Sequence, residues 1–524
     1  MAAAIPVPPE GFAPQDDRAT LPVKHRMTLM WAIMFVSICQ FLDLTIANVA
    51  LPHMRTSLGA SFDTISWVLT SFIMAGAIVT PITGWLSDRI GSRRLFLIAT
   101  ATFLGSSALC GAAHSLTEMV VFRALQGAAS ALMGPLSQTV MFDINPPSKQ
   151  PGAITLWGTV SMVAPISGPF LGGFLTEYLN WRWVYYVNLP LGIPALIIMW
   201  MLLPSRPLSL RPLDRFGFGT IALGLGSLQL LLDRGQSQDW LNSWEIIIEL
   251  VVAISCLWMF VVQTTSSKKP LFNPALYKNT NFLIGMVFMI MMGLTNIALS
   301  ATLPTMYQTV YGYSVITTGM LMAPRGIGLT VTMWMTNYLA KRVDFRWLVG
   351  VGFSILAYAM WTMSQWALEM GRDYIVYSGL LQGAGLGMIF TPINLVAFRS
   401  LSPELRTDGA AVLSLARSLG GSFGISYIVT MIARVGQTSH ADIAASVTGG
   451  TTPIVDLSTL VGLGGDTGAA VLAMINGEVD RQAAMIAYLD NFHLFTIVLL
   501  AFIPMTLLLR KAPPSVFTEM PVEH

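Results

Sequence analysis

Charge is scarce in this chain. Only 11% of its 524 residues are Asp, Glu, Lys or Arg, against about 25% in a soluble globular domain. So little charge argues against a soluble globular protein. Cysteine is nearly absent too, and Cys39, Cys110 and Cys256 all fall within apolar runs. That supports neither a disulfide framework nor a metal cluster. No Gly-x-x-x-x-Gly-Lys loop occurs, so ATP-driven work is unsupported, and no nucleophile–base or metal-ligand constellation suggests an enzyme. No cofactor is expected beyond a proton gradient, and no nucleic-acid partner. The net charge of +2 says little, because the position of the charges matters more than their sum. Residues 1–27 are rich in Pro and Ala without an apolar core segment, and are expected to form a cytosolic tail.

What abounds is apolar. Hydrophobic residues make up 54% of the chain, in runs of about twenty, the helical length that crosses a ~30 Å hydrocarbon core. The pattern predicts an all-α polytopic membrane protein of fourteen helices, over 28–51, 64–86, 94–112, 116–142, 152–176, 183–203, 215–233, 243–264, 280–303, 315–339, 346–367, 373–398, 409–432 and 491–511. An even number leaves both termini on one side. Basic residues crowd the connections on that side, as in Arg89, Arg93 and Arg94, or Lys268, Lys269 and Lys278, or Lys341, Arg342 and Arg346. The other connections hold Arg55, Arg182, Arg234, Arg372, Arg434 and Arg481. By the positive-inside rule the termini are cytosolic.

The chain also repeats itself at an offset of about 250 residues. LPHMRTSLGASFDTISW (51–67) aligns with LPTMYQTVYGYSVITTG (303–319), WLSDRIGSRRL (85–95) with YLAKRVDFRWL (338–348), and ALQGAASALMGP (124–135) with LLQGAGLGMIFTP (380–392). The expected organisation is a tail (1–27), a six-helix bundle (28–203), a linker with two added helices (204–279), a second six-helix bundle (280–511) interrupted by an extracytoplasmic loop (433–490), and a tail (512–524). Two parallel six-helix copies suit a transporter that rocks about a midplane site.

Within the first apolar run stands SICQFLDLTIANVALP (37–52). A charge at mid-bilayer costs about 2.5–3.5 kcal/mol or more, so Asp43 needs a compensating partner or a task. It lies about eight residues from the outer end of helix 1, or ~12 Å, and Arg123 about seven from that of helix 4, or ~10 Å. The opposite charges therefore sit at matching depth. In the second copy Thr295 and Asn296 fall near the Asp43 position and Gly379 at that of Arg123, so both charges are gone there.

Several stretches resemble motifs of the major facilitator superfamily. GWLSDRIGSRRLFL (84–97) resembles its loop signature between helices 2 and 3, FRALQGAASA (122–131) its helix-4 arginine motif, and APISGPFLGG (164–173) its helix-5 antiporter motif. LDLTIANVALP (42–52) resembles the helix-1 motif of the fourteen-helix drug:proton antiporters. WRWVYYVNLPLG (181–192) and LLDRGQSQDW (231–240) are similar to EmrB-type multidrug exporters. The likeness covers nearly the whole chain, and one departure is Ala164, where the helix-5 motif often carries glycine.

The resemblance implies a proton-coupled exporter of lipophilic small molecules such as drugs and hydrophobic weak acids, in the inner membrane and surrounded by lipid. It implies that helices 1 and 4 adjoin, pairing Asp43 with Arg123 for proton coupling. Gln126, one turn from Arg123, and Gln40, one turn from Asp43, are expected to complete the hydrogen bonding; a static ion pair is the plainer alternative. Gly84, Asp88, Arg89, Gly91, Arg93 and Arg94 are expected to form a cytosolic latch, with Asp88 bonding neighbouring arginines, or simply to hold positive charge inside. Pro165, Gly168, Pro169, Gly172 and Gly173 predict a kinked surface of close contact in helix 5.

Candidates for the substrate cavity are Gln40, Asn48, Thr295, Asn296, Arg325, Gln382 and Arg417, with Arg325 the expected anion-facing cation; alternatively it bonds carbonyls freed by Pro324. Residues 433–490 are expected to be a polar, Gly-rich loop followed by an amphipathic helix over 466–492. EmrB-type exporters work with a periplasmic adaptor and an outer-membrane channel, and this loop is the expected docking place, unless its helix lies on the membrane surface. Two other readings are an exporter of one specific metabolite and a transport-inactive sensor on the same fold.

Overall fold

The computed structural model describes residues 19–61, 64–206, 208, 212–267, 270–340, 342–399, 401, 403–446 and 466–509. Residues 1–18 of the first expected tail, the whole of the second (512–524), basic residues Arg211, Lys268, Lys269 and Lys341, and 447–465 of the expected loop lie outside the described residues. The rest is helical: α1 (Arg26–Ser57), α2 (Trp67–Ile90), α3 (Ser92–Ala112), α4 (Leu116–Asp143), α5 (Gln150–Tyr178), α6 (Trp183–Leu202), α7 (Arg215–Arg234), α8 (Trp244–Ser266), α9 (Thr280–Thr309), α10 (Val315–Leu339), α11 (Phe345–Met363), α12 (Arg372–Phe398), α13 (Arg406–Ser446) and α14 (Asp466–Phe502). Thirteen are long and apolar enough to cross a membrane. The fourteenth, α10, has the length at 25 residues, but its threonines and Arg325 dilute its hydropathy. This is a multi-pass membrane protein.

Helix starts are fixed locally. Ser115 accepts from Glu118 N while the Glu118 carboxylate accepts from His114 N, a reciprocal cap that opens α4. Ser314, Asp344 and Asp214 cap α10, α11 and α7 with their side-chain oxygens. Gly91, at φ +94°, makes the turn between α2 and α3.

Packing repeats in the two halves. In the first, α1 packs on α5 and α6, and α2 on α4; in the second, α10 packs on α12, α9 on α13, and α11 on α12 and α14. The halves meet along α5 and α10, which run antiparallel in contact from Gly173 beside Val315, past Phe170 against Gly319, to Thr159 beside Met333. The added helix α7 covers the seam between α2 and α13. On one turn Asp233 accepts from Thr70 of α2; on the previous turn Gln229 accepts from Ser422 of α13 at 2.8 Å. Outside α7 sits α8, which packs on little else and exposes Trp258 at 68% to the lipid side.

The expected loop over 433–490 is largely not a loop. The helix expected to end at 432 continues to Ser446, and the last helix begins at Asp466 rather than 491. The helix expected over 466–492 is present and runs on without a break into the last span. With 41 residues, α13 is ~60 Å long at 1.5 Å per residue, twice a ~30 Å hydrocarbon core. Its far end pairs with α14, where His440 contacts Asn476 at 3.1 Å and Asp480 at 3.4 Å.

Candidate functional site

Asp43 is wholly buried in the first half, and Arg123 and Gln126 are buried with it. Arg123 reaches from α4 and donates to Asp43 Oδ2 at 2.5 Å, to Gln126 Oε1 at 2.9 Å and, through Nε, to the Val68 carbonyl at 3.0 Å. Its guanidinium lies 4.2 Å from the Phe72 ring centre. Gln126 Nε2 donates to Asp43 Oδ1 at 3.1 Å. Every apolar neighbour excludes water, so these donors must do what water would otherwise do for the charge.

Gln40 takes no part in this, contrary to expectation. Its Nε2 donates to the Ser130 carbonyl at 2.9 Å, in a space that Gly134 opens by lacking a side chain. The missing donor is Asn188 of α6, whose Nδ2 lies 3.3 Å from Asp43 Oδ1 and 3.0 Å from Ser107 Oγ. Sequence reading passed over Asn188 although it stands in the quoted 181–192 stretch. A lone amide amid apolar residues was the available signal.

The helix-5 residues act on α1. Pro169 has no N–H for the carbonyl of Pro165 one turn earlier, and Thr45 Oγ1 donates to that carbonyl at 2.9 Å instead. The approach depends on Gly168, where a Cβ would stand 2.0 Å from Thr45 Oγ1, and on Gly172, where it would stand 2.6 Å from the Ile46 carbonyl. Gly173 faces the other half, a Cβ there meeting Val315 at 2.1 Å. Thus α5 is close-packed on the Asp43 helix and on α10 at once.

The expected latch residues lie at the end where the chain begins, in and around the turn between α2 and α3. Gly84 is buried, Asp88 half-buried, and Arg89 and Arg94 are exposed; Arg93 donates to the Trp200 carbonyl at 2.6 Å. One link between the halves there is Asp143, at the end of α4, which sequence reading did not single out. It is 1% exposed and pairs with Arg206 at 2.5 Å and with Arg406 of α13 at 3.5 Å. Arg206 also donates to Thr407 at 3.1 Å, and Gln138 of α4 donates to Asn394 of α12 at 2.7 Å. These bonds close this side.

Among the cavity candidates, Asn48 is half-buried on α1. Thr295 and Asn296 fall in a π-turn of α9, Gly293–Ile297. Thr295 Oγ1 donates back to the Met291 carbonyl at 2.9 Å, while Asn296 Oδ1 accepts from Arg325 at 2.7 Å. Arg325 is 1% exposed inside the second half and donates to the Asn296 carbonyl as well, at 3.1 Å. The expected anion-facing cation thus points into α9, held by the side chain and carbonyl of one residue, Asn296. Gln382 is equally buried, with neither amide atom bonded. Arg417 is the arginine that faces the space between the halves.

The sequence profile described as Major Facilitator Superfamily matches residues 33–425, from α1 into α13. The multidrug export protein EmrB of Haemophilus influenzae is 35% identical over 406 residues, 77% of this chain and 80% of that protein. EmrB of Escherichia coli K12 is 33% identical over 79% of this chain and 82% of its own length. The fatty acid resistance protein FarB of Neisseria gonorrhoeae is 31% identical over 93% of this chain and 96% of its own. A bacterial homologue of the human lysosomal transporter Spinster, inward-facing and unoccupied, superposes with a TM-score of 0.55 at 16% identity, over 94% of this chain and 99% of that one. That likeness speaks for the fold alone. A profile match running through both copies of the repeat, with relatives above 30% identity over most of their length, leaves one assignment: the chain belongs to the major facilitator superfamily, in its EmrB-type group of multidrug exporters.

Proposed function

We propose that this protein is a proton-coupled antiporter that exports lipophilic small molecules by alternating access, from an inner membrane with both termini cytosolic. The observation that carries the reading is Asp43, an acid with no exposed surface whose donors come from two other helices. Its charge state decides how firmly α1 is tied to α4 and α6. Protonation removes the charge that Arg123 and Asn188 serve, and α1 loosens. Through Thr45, Gly168 and Gly172 the movement of α1 is felt by α5, and through Gly173 by α10 of the other half. A proton arriving from outside thus favours the state open to the cytosol; its release there, with substrate loaded, restores the clamp and returns the cycle.

Opening to the cytosol must also break the pairs that Asp143 makes with Arg206 and Arg406. In this reading the 84–94 turn and Asp143 together form the latch. The cargo class is supported by relatives named for multidrug export and fatty acid resistance. The projecting ends of α13 and α14 would receive a periplasmic adaptor and, through it, an outer-membrane channel. Efflux from proteoliposomes under an imposed pH gradient tests the reading. Asp43→Asn is expected to abolish acid-driven export, and undiminished export by that variant overturns it. Dye efflux in a pump-deleted host separates an exporter from a transport-inactive sensor.

A further inference from the structure

Arg123 and Arg325 are wholly buried in the bundle and Arg417 is half-buried between its halves, and the three are provided for unequally. Arg123 has Asp43, and Arg325 has Asn296. Arg417, on α13, makes no hydrogen bond or ion pair among the described residues; its one polar-to-ring contact places the guanidinium 5.2 Å from the centre of the Phe41 ring. A cation held at membrane depth without a counter-charge is costly, and its usual justification is a ligand or a pathway.

Arg417 also occupies the right place. It lines two cavities between the halves, one of about 90 Å³ with Gln40, Phe41, Phe72 and Ser130, the other of about 10 Å³ with Gln138, Trp157 and Asn394. Ser414, one turn before it on the same helix face, lines both as well. Neither cavity has an Asp or Glu in its wall. Gln40 Oε1 has no partner, while its Nε2 is engaged by Ser130. The larger cavity can take a small polar head group, and its wall adds Thr80, Gln229 and Ser418 to the apolar Phe41, Leu44, Phe72 and Ile73.

We propose that Arg417 is the anchor for the anionic head of lipophilic weak acids, with the hydrocarbon part against Phe41, Leu44 and Phe72. The planar guanidinium fork matches a carboxylate, and the apolar surroundings strengthen the attraction. A neutral alcohol of the same chain length gains the wall and forgoes the fork. A cationic amphiphile is repelled. This deepens the export reading by assigning the residue that selects acidic cargo, and rests on that reading for the route but not for the binding.

The test is saturable binding of radiolabelled decanoate to the purified full chain in lipid nanodiscs at neutral pH, with decanol as competitor and empty nanodiscs as blank. The parent protein is expected to prefer decanoate to decanol by about tenfold or more, the worth of one charge-assisted pair. Arg417→Gln should erase the preference while leaving decanol binding within about twofold, and Arg417→Lys should keep most of it. A parent that binds both equally, or an Arg417→Gln variant that retains the preference, overturns the proposal. The parent's own preference decides the matter if Arg417→Gln does not fold. Binding needs no gradient, so intact decanoate preference without acid-driven export would sink the export reading and leave this site standing.

Discussion

Phe72 and Arg325 hold equivalent places in the two halves. A Cβ on Gly127 would stand 2.1 Å from the carbonyl oxygen of Phe72, and one on Gly383, the repeat partner of Gly127, 2.0 Å from that of Arg325. In the first half the cation comes from α4 and lies over the Phe72 ring. In the second the α4 position is Gly379, and the cation has moved to the facing helix. The acid has become Asn296. One half thus holds a titratable pair, and the other a fixed cation bonded to an amide.

Asn296 should therefore be a stability determinant. Asn296→Leu leaves Arg325 with the single Asn296 backbone carbonyl it also uses, and is expected to cost about 3–5 kcal/mol, the price of stranding a buried charge. Asn296→Asp supplies a counter-charge at 2.7 Å and should lower the thermal midpoint far less. Equal loss in both variants would contradict the arrangement.

In the first half the two partners are not interchangeable. Asp43→Asn leaves Arg123 held by Val68 and Gln126, so the protein should fold while losing acid-driven transport. Arg123→Ala leaves a buried carboxylate with only amide donors and should destabilise by about 3–5 kcal/mol. Thermal unfolding monitored beside proteoliposome efflux distinguishes the two.

The contact of α1 with α5 predicts a specific rescue. Gly168→Ala puts a methyl 2.0 Å from Thr45 Oγ1 and should cost about 1–3 kcal/mol as overpacking. Adding Thr45→Ala removes the clashing oxygen and should recover part of the stability. Transport need not return, since the bond to Pro165 is lost as well. No recovery at all would mean the two helices are not so closely set.

Asp143→Asn should open the side where the chain begins. The three native cysteines are buried, so Ser414→Cys, two turns along α13 from Arg406 and facing the space between the halves, reports access by its rate of labelling with a small maleimide. Labelling is expected to rise about fivefold or more, equivalent to ~1 kcal/mol of lost closure. An unchanged rate would leave the closure to the other contacts, Gln138 with Asn394, Arg206 with Thr407 and α5 with α10.

Much of this was legible before any coordinates. Apolar length, basic flanks and the repeat gave the spans, the paired halves and the equal depth of Asp43 and Arg123, because depth along a helix is a matter of counting residues. The helix-5 glycines were legible as close contacts, since small side chains at helical spacing have little other use. The ends of α13 and α14 were not. Hydropathy reports where lipid stops, whereas a helix stops where its backbone hydrogen bonds do, and here the polar continuation of each helix is paired with the other.

By itself, then, the sequence determined which residues lie in the membrane, at what depth, and that an acid there has a basic counterpart. Only the tertiary structure decided that Asn188 and not Gln40 completes the Asp43 site, that Asp143 ties the halves together, and that Arg417 rather than Arg325 faces the space between them. The physical reason is rotation about the helix axis. Which neighbour a side chain meets depends on prolines, the π-turn of α9 and glycine-set helix spacing acting across many residues, and no count along one helix contains that.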